Sequence, residues 1–479
     1  MIKPNTVAVN YIQQQMSRGK ARLLPYVFKA PSFAYPKRHL VFRIEKYVKD
    51  FLKGERDVRW VVIPGLRGVG KTTVMAQVFV GAIETKTSAT AHFLYLSADD
   101  LLPRGLTLTD ALDAYEYILG TPFEKLDQPT FIFIDEVQQS ADWARVLKSL
   151  YDRARNIFIA STGSSAVSLQ SNPDVARRAK FEKLFPLSFG EYEMIKNNVF
   201  PQAGLKDQIK TAVYGAHTAD EAFQNLKNLE SSVAQQWSCF ERADIDDYLM
   251  NGTLPFTLKD IAPSAYDSLN ILIDRIIDKD IKDLGQFDAQ TLSAAKRLLF
   301  IMADSNELNI NKTKDIIQLS YNTTLAVLDA FEKAELVTRI PAKGSSAAKT
   351  KNPAKYFFMS PAIRAALLGV SGIPETFLMR RGKFFEDIAV LHFYREFLST
   401  GIGALSFDAA QGGADFIFQI ADKKQIVCEV GVGRKGYDQA KKSMERFRAD
   451  FGLVICDTDV MISREDNVVK VPLDFFLLM

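Results

Sequence analysis

The chain has 479 residues, of which 47% are hydrophobic and 24% are charged, and these proportions are typical of a globular protein with several cores. The formal net charge of +3 is too small to indicate nucleic-acid binding by itself, so that function would need local clusters of lysine and arginine. Three cysteines without C-x-x-C spacing argue against a disulfide framework or a zinc site, and the apolar runs are too short for a signal peptide or a membrane span. We therefore expect a cytoplasmic protein with no membrane partner.

Short apolar runs alternate with helical patterns between residues 58 and 188. The runs are VRWVVI, AHFLYLS, TFIFID, NIFIAST and FEKLFPLS, and the predicted helices are Thr72–Glu84, Leu108–Leu119 and Asp142–Arg155. Strands that are buried on both faces read as continuous apolar runs, so this alternation predicts a parallel sheet flanked by helices.

The string GLRGVGKT, at residues 65–72, follows the first predicted strand and opens the first predicted helix. It matches the P-loop pattern G-x-x-x-x-G-K-[ST] in the context that the pattern requires. Its glycines let backbone N–H groups curl around phosphates, and we expect Lys71 to reach the β- and γ-phosphates and Thr72 to ligate Mg²⁺. The predicted ATP-binding residues of this loop are Gly65, Gly68, Gly70, Lys71, Thr72 and Thr73.

A pair of acids ends the apolar strand Phe131–Ile134. In P-loop enzymes an acid at such a strand end holds Mg²⁺, and a neighbouring glutamate can polarise the attacking water. We assign Asp135 to the metal and Glu136 to water activation. The next strand ends in small polar residues, and Thr162 or Ser164 is a candidate for sensing the γ-phosphate.

Downstream, the segment Tyr192–Leu284 lacks strand patterns, which predicts a helical lid or linker packed against the nucleotide core. Three predicted helices follow and then two extended runs, LVTRI and KYFFMS, an order typical of a winged helix. The helices are Leu292–Met302, Lys312–Gln318 and Thr323–Ala334. The extended runs enclose a basic loop, in and beside which the predicted contacts to double-stranded DNA are Lys343, Lys349, Lys351 and Lys355. Acidic residues on the third helix leave open a winged helix that docks a protein partner instead.

The last region contains Glu386 on a predicted helix (Lys383–Phe397), Asp415 in GGADFIFQI and Glu429 in QIVCEVGVGRK. This order resembles the PD-(D/E)XK nuclease core, which groups acids around Mg²⁺ to activate water. The resemblance implies a lysine two residues after the last acid, but Gly431 occupies that position. We therefore expect a nuclease-like fold whose cleavage is weakened or lost, unless a displaced cation such as Lys435 reaches the site.

Several segments together, GLRGVGKTT, FIFIDEVQ, STGSSA, ARRAKFEKLFPLSFGEYE and YLMNGTLP, resemble bacterial and archaeal AAA+-type ATPases whose C-terminal domain is of uncharacterised function. The resemblance implies that Arg178, before the PLSF segment, senses or contacts ATP. The implied fold class is α/β, with a P-loop NTPase parallel sheet, a helical lid, a winged helix and an α/β nuclease-like domain. The predicted boundaries are 1–190, 191–290, 291–368 and 380–479 respectively.

We expect an ATPase that uses Mg-ATP to switch its winged-helix and nuclease-like modules in association with DNA, as a possible homo-oligomer. Two alternatives stay open. One is a signalling or scaffold protein that holds ATP with little turnover and presents its C-terminal half to a protein partner. The other is an ATP-controlled nuclease.

Overall fold

The computed structural model describes residues 4–31, 33–85, 90–164, 173–259, 262–344, 354–369, 374–420, 424–433, 435–457 and 462–479. The chain divides into two compact units, Met1–Phe185 and Pro186–Met479. No helix within the described ranges is long and apolar enough to cross a membrane. The finer division into four segments stays a prediction.

A five-stranded parallel sheet with the strand order β4-β5-β6-β3-β7 forms the centre of the first unit. The elements up to the first central strand are α1 (Thr6–Val27), β1 (Phe28–Ala30), β2 (Phe33–Ala34), α2 (His39–Leu52) and β3 (Trp60–Pro64). Then follow α3 (Lys71–Glu84), β4 (His92–Ser97), α4 (Leu108–Leu119), β5 (Thr130–Asp135), α5 (Trp143–Arg153), β6 (Ile157–Gly163), α6 (Pro173–Ala176) and β7 (Lys180–Phe181). The α/β fold class is thereby confirmed.

The strands form where the sequence is continuously apolar, and every residue of β3, β5 and β6 is buried. The predicted strand FEKLFPLS is much shorter in the structure, where β7 has two residues. Backbone bonds nevertheless extend its pairing, from Glu182 N–H to Val62 O and from Leu184 N–H to Pro64 O, both 2.9 Å long. Helix α1, which no sequence motif predicts, completes the core by burying Ala8, Tyr11 and Ile12.

The second unit begins with a helical segment, as predicted. Its helices are α7 (Phe189–Lys196), α8 (Leu205–Tyr214), α9 (Ala219–Lys227), α10 (Glu230–Trp237), α11 (Asp244–Asp247), α12 (Ala262–Arg275) and α13 (Lys282–Gly285). Stacked and edge-on contacts of Phe189 with Tyr192, Trp237 and Tyr248 form its aromatic core. The Trp237 indole donates a 2.9 Å hydrogen bond to the backbone of Asp474, so the segment is built into the second unit.

Three helices and an antiparallel hairpin come next, in the predicted order. They are α14 (Ala289–Asp304), α15 (Ile310–Ile317), α16 (Tyr321–Lys333), β8 (Val337–Pro341) and β9 (Ala354–Phe358), followed by α17 (Pro361–Leu368). Each of the three helices begins slightly earlier than predicted because Asp288, Asn309 and Ser320 accept backbone N–H bonds as N-caps. The winged-helix assignment stays a prediction, and two predicted DNA contacts, Lys349 and Lys351, lie outside the described residues.

A six-stranded mixed sheet with the order β10-β11-β12-β13-β15-β14 ends the chain. The elements are α18 (Pro374–Phe393), β10 (Gly403–Ser406), β11 (Phe416–Ile420), β12 (Gln425–Gly431), α19 (Asp438–Phe447), β13 (Phe451–Cys456), β14 (Ser463–Glu465), β15 (Val468–Pro472) and α20 (Leu473–Leu477). Helix α19 buries Ala440 against Ile417 and Val427. Phe393 of α18 packs on Phe416 and Phe418. Helix α18 begins at Pro374 rather than at the predicted Lys383, because proline is well suited to the first turn of a helix.

The hairpin and the terminal sheet are joined through their backbones. Lys343 N–H donates to Phe407 O at 2.8 Å, and Phe407 N–H donates to Pro341 O at 3.1 Å. The wholly buried Arg364 of α17 pairs with Asp387 of α18 at 2.6 Å. These contacts make the hairpin and the sheet one continuous structure within the second unit.

Candidate functional site

The loop between β3 and α3 has the backbone conformation that its glycines permit. Gly68 and Gly70 have φ angles of 90° and 95°, which side-chain-bearing residues rarely adopt. A Cβ at Gly65 would lie 2.3 Å from the carbonyl oxygen of Leu184, so only glycine fits there. The loop ends at the N-terminus of α3, where unpaired N–H groups attract an anion.

The predicted lysine and threonine lie at the start of α3. Lys71 is buried, and its ammonium donates to the Gly65 carbonyl at 2.9 Å, inside the loop. Thr72 donates from its hydroxyl to the Asp135 carboxylate at 2.7 Å, which joins the loop to the end of β5. Thr73 is half-buried in the same helical turn. A hydroxyl and a carboxylate at this distance are an oxygen donor set that suits Mg²⁺, which commonly keeps several waters and takes one or two carboxylates.

Asp135 and Glu136 are held by the neighbouring strand β6. Burial raises the pKa of Asp135, and hydrogen bonds from the Thr162 and Thr72 hydroxyls oppose that shift. Thr162 also accepts the Glu136 backbone N–H at 3.1 Å, so one hydroxyl positions both acids. The Glu136 side chain accepts from the Gln138 amide, which also donates to Ser164 at 2.9 Å.

The backbone of Glu136 is itself unusual, with φ 52° and ψ 47°. Left-handed backbone in a residue with a side chain is uncommon and clusters at functional sites. The Thr162 hydrogen bond to its N–H is one contact that fixes this conformation. The carboxylate of Glu136 is thereby aimed away from the direction in which a continuing strand would place it.

Arg38, which precedes α2, is a residue of this site that no sequence motif indicates. Its buried guanidinium donates to Val69 O inside the P-loop and to Phe185 O, both at 2.9 Å. The two carbonyls belong to segments far apart in the chain, so Arg38 fixes the P-loop against the segment that follows β7. No motif surrounds Arg38, and only the packing of α2 indicates its role.

Replacing Arg38 with alanine is expected to weaken ATP binding, because the replacement removes its hydrogen bond to the P-loop backbone at Val69. Hydrogen bonds to a charged group are each worth about 1.5–3 kcal/mol, and about 1.4 kcal/mol corresponds to a tenfold change in affinity. We therefore expect at least about a tenfold loss, measured by titration calorimetry. Lys46→Ala on the same helix is the control, since Lys46 is 72% exposed and pairs only locally with Asp50. Equal affinities for wild type and Arg38→Ala would contradict the expectation.

Arg178 lies two residues before Lys180 of β7, which pairs with Val61 near the start of β3. Its guanidinium makes a bidentate ion pair with Asp152 of α5, with hydrogen bonds of 2.7 and 2.9 Å. The last turn of α5 lies beside the start of β3, where Arg59 donates to Ala154 O at 2.8 Å, whereas the P-loop follows the end of β3. Arg178 therefore lies away from the P-loop of its own chain, and its predicted contact with ATP stays a prediction.

The acids of the last region come together on the terminal sheet. Glu429 lies on β12, and the Val430 N–H beside it donates to Asp415 at 3.0 Å. Glu386 faces them from α18, where Asn306 donates to it at 2.6 Å. Lys435, from the loop after β12, donates to Glu429 at 2.7 Å. The structure thus groups all four residues that the sequence nominates for this site.

Burial dominates the electrostatics of this acid cluster. It raises the pKa values of Glu386 and Glu429 to about 7, and the charge of Asp415 adds to both shifts. Two lysines oppose the negative charge, because Lys355 lies 3.9 Å from Asp415 and Lys435 bonds to Glu429. Among the described residues no three His, Cys, Asp or Glu side chains are grouped closely enough to hold a metal ion by themselves.

Lys355 and Lys343, two of the predicted DNA contacts, both have partners within the second unit. Lys355 is on β9, with its side chain 16% exposed between Asp415 and Glu307. Lys343 donates from its side chain to Gln419 of β11 at 3.4 Å. Both lysines contact the terminal sheet because the hairpin pairs with it.

The fold and the first site define the class of the protein. A parallel sheet, a P-loop at the end of β3 and paired acids at the end of β5 are those of a P-loop NTPase, and the family model described as "AAA domain" matches residues 57–193. A second model, "Domain of unknown function (DUF8612)", matches residues 242–373. The chain is thus similar to AAA domains over residues 57–193 and to a domain of unknown function over residues 242–373.

The chain belongs to the family of the uncharacterized protein MJ1637 of Methanocaldococcus jannaschii, with 32% identity over 442 residues, 91% of this chain and 87% of that protein. The uncharacterized protein MJ1544 of the same organism is 19% identical over 424 residues, 86% of this chain and 84% of that protein. Neither relative has a stated activity.

Solved structures with matching chains include the Aeropyrum pernix ORC1 protein in complex with DNA, with a TM-score of 0.33, 13% identity and coverage of 76% of this chain and 98% of that chain. The Thermotoga maritima RuvB Holliday junction branch migration motor matches with a TM-score of 0.25 and 14% identity, over 63% of this chain and 89% of that chain.

Proposed function

We propose that the protein is an ATPase that binds and hydrolyses Mg-ATP and uses the nucleotide cycle to control its second unit in association with DNA. The observation that carries the proposal is the contact of Thr72 with Asp135, which brings the P-loop and the strand-end acids into one site. Mg²⁺ bound there would neutralise charge that develops during phosphoryl transfer. Lys71 would bind the phosphates, and Glu136 would orient the attacking water.

The test is the rate of phosphate release from ATP with and without duplex DNA. We expect Mg²⁺-dependent turnover by wild type, stimulation by DNA, and loss of both in Lys71→Ala. Turnover without any DNA effect would remove DNA from the proposal and leave the ATPase. Tight retention of ATP without turnover would instead favour the signalling or scaffold alternative.

We propose that Arg178 serves this reaction across a subunit interface of a homo-oligomer. A guanidinium from a neighbouring chain that stabilises transition-state charge is worth about 10³–10⁵ in rate. We expect Arg178→Ala to bind ATP normally and to lose turnover. Mixing Arg178→Ala with Lys71→Ala should restore part of the activity, because some interfaces then combine an intact P-loop with an intact arginine. Failure of the mixture to regain activity, with oligomers present, would contradict a role across the interface.

A second candidate function, an ATP-controlled nuclease, is supported by one specific observation. Glu386, Asp415, Glu429 and Lys435 lie together on the terminal sheet although they come from separate elements. Asp415 and Glu429 could hold a divalent cation together with water, since the Glu429 Oε2 atom is buried and makes no hydrogen bond within the described part of the chain. The cation would supply charge neutralisation during attack on a phosphodiester.

A further inference from the structure

Gly431 stands where the resemblance to the nuclease core implies a lysine, and the structure shows what fills the space above it. A Cβ built on Gly431 would lie 2.0 Å from Cε and 2.9 Å from Nζ of Lys435. The Lys435 side chain therefore occupies the volume into which a side chain at residue 431 would project. A side chain at residue 431 would displace the Lys435 side chain from this position, so the glycine leaves room for the lysine.

The end of the Lys435 side chain lies at the acid cluster. Its ammonium is 2.7 Å from Glu429 Oε1, the Lys435 side chain is only 28% exposed, and the Glu429 side chain is 2% exposed. The loop that carries Lys435 departs from β12 through Gly433, whose φ of 81° permits the turn. A sharp turn followed by a return over Gly431 is what delivers the charge to the carboxylates.

We propose that Lys435 is the catalytic cation of a phosphodiester-hydrolysing site on the terminal sheet, supplied from the loop after β12 across Gly431. This inference rests on the second candidate function. The substrate class is a nucleic-acid phosphodiester, and a divalent cation such as Mg²⁺ would be the cofactor.

In the reaction a water oxygen forms a bond to phosphorus, and the bond from phosphorus to the leaving sugar oxygen breaks. The leaving oxygen keeps the electron pair and takes up a proton, while the attacking water gives one to solvent. Negative charge grows on the non-bridging phosphate oxygens as the bond to water forms. An ammonium that contacts those oxygens stabilises the transition state more than the ground state.

The position of Lys435 makes a swap experiment possible. We expect Lys435→Met to reduce DNA cleavage by about 10²–10³-fold, the usual effect of removing one electrostatic group. The double variant Gly431→Lys/Lys435→Ala should regain much of the activity. Its lysine extends from residue 431 into the space that the Lys435 side chain occupies in the wild type, so the ammonium can still reach the acid cluster. Lys442→Met, on the exposed side of α19, is the matched control. Cleavage is measured on duplex and single-stranded DNA with Mg²⁺ or Mn²⁺.

Binding of Mn²⁺ without nucleotide, measured by titration calorimetry, gives a second result that does not depend on cleavage. Lys435→Met frees Glu429 from its ion pair, so we expect Mn²⁺ to bind at least as tightly as to wild type. Glu429→Gln should weaken that binding. A role of Lys435 in folding alone predicts instead that cleavage, Mn²⁺ binding and thermal stability fall together.

The outcomes separate the two proposals. Cleavage by wild type that persists in Lys435→Met would overturn the role of Lys435 and leave the nuclease function. A wild-type protein that cuts neither DNA with either metal would overturn both. Loss in Lys435→Met with recovery in the double variant would support both.

Discussion

Glu136→Gln is expected to bind Mg-ATP as tightly as wild type and to turn it over about 10²–10⁴-fold more slowly, the usual size of a general acid–base contribution. The amide keeps the size and the hydrogen-bonding reach of the carboxylate, so the partner Gln138 and the backbone bond to Thr162 can persist. The variant would lose the charge that we propose orients and polarises the attacking water. Single-turnover hydrolysis and equilibrium binding, measured on the same preparation, check the result.

Two comparisons make this prediction specific. Lys71→Ala should lose ATP binding itself, because its ammonium is the proposed phosphate contact. Glu124→Gln should behave as wild type, since Glu124 is an exposed acid of the same unit that pairs with Arg153. Turnover of Glu136→Gln at the wild-type rate would show that another group activates water.

Arg364→Met is expected to destabilise the second unit by about 3–5 kcal/mol, the range measured when one partner of a buried ion pair is removed. Arg364 and Asp387 are both fully buried, and the guanidinium also donates to Ala303 O at 2.8 Å and to Asn306. Burial raises the pKa of Asp387, and Arg364 opposes that shift, so the lone carboxylate would be left without its main compensating charge. Denaturant unfolding, followed by a probe in the second unit, measures the loss.

The double variant Arg364→Met/Asp387→Asn provides the internal control. It removes both charges and keeps an acceptor for the Phe358 N–H, which bonds to Asp387 at 3.0 Å in the wild type. Replacing both members of a buried pair is often nearly neutral, so much of the stability should return. Arg380→Met, which breaks a surface pair with Asp304, should cost less than about 1 kcal/mol. A single variant as stable as Arg380→Met would contradict the expected importance of the buried pair.

The first unit could be predicted well because its signals are local. Buried parallel strands give continuous apolar runs. The P-loop pattern predicts a strand before it, a helix after it and a phosphate-binding role. The contact of Arg38 with Val69 could not be predicted, because it depends on how α2 packs. The double role of Thr162 also depends on strand order, which places β6 beside β5 and lets one hydroxyl reach both acids.

The terminal site could be predicted as a set of residues but not as an arrangement. The order of Glu386, Asp415 and Glu429 nominated the site, while Gly431 suggested that its cation was missing. Only the path of the loop shows that Lys435 returns over the glycine. The contact of Lys355 with Asp415 could not be predicted, because the sequence carries no information on the pairing of the hairpin with the terminal sheet.

That pairing bears on how the chain can be divided. The family match ends at residue 373, between the hairpin and the terminal sheet that contacts it. A fragment that ends there would lose the backbone hydrogen bonds of Pro341 and Lys343 with Phe407, which would expose this edge. Arg364 would also lose its ion pair with Asp387. Exposed strand edges recruit other strands, so such a fragment would be prone to self-association. The end of the family match therefore falls inside one connected part of the structure, and it does not mark the border of a fragment that is complete by itself.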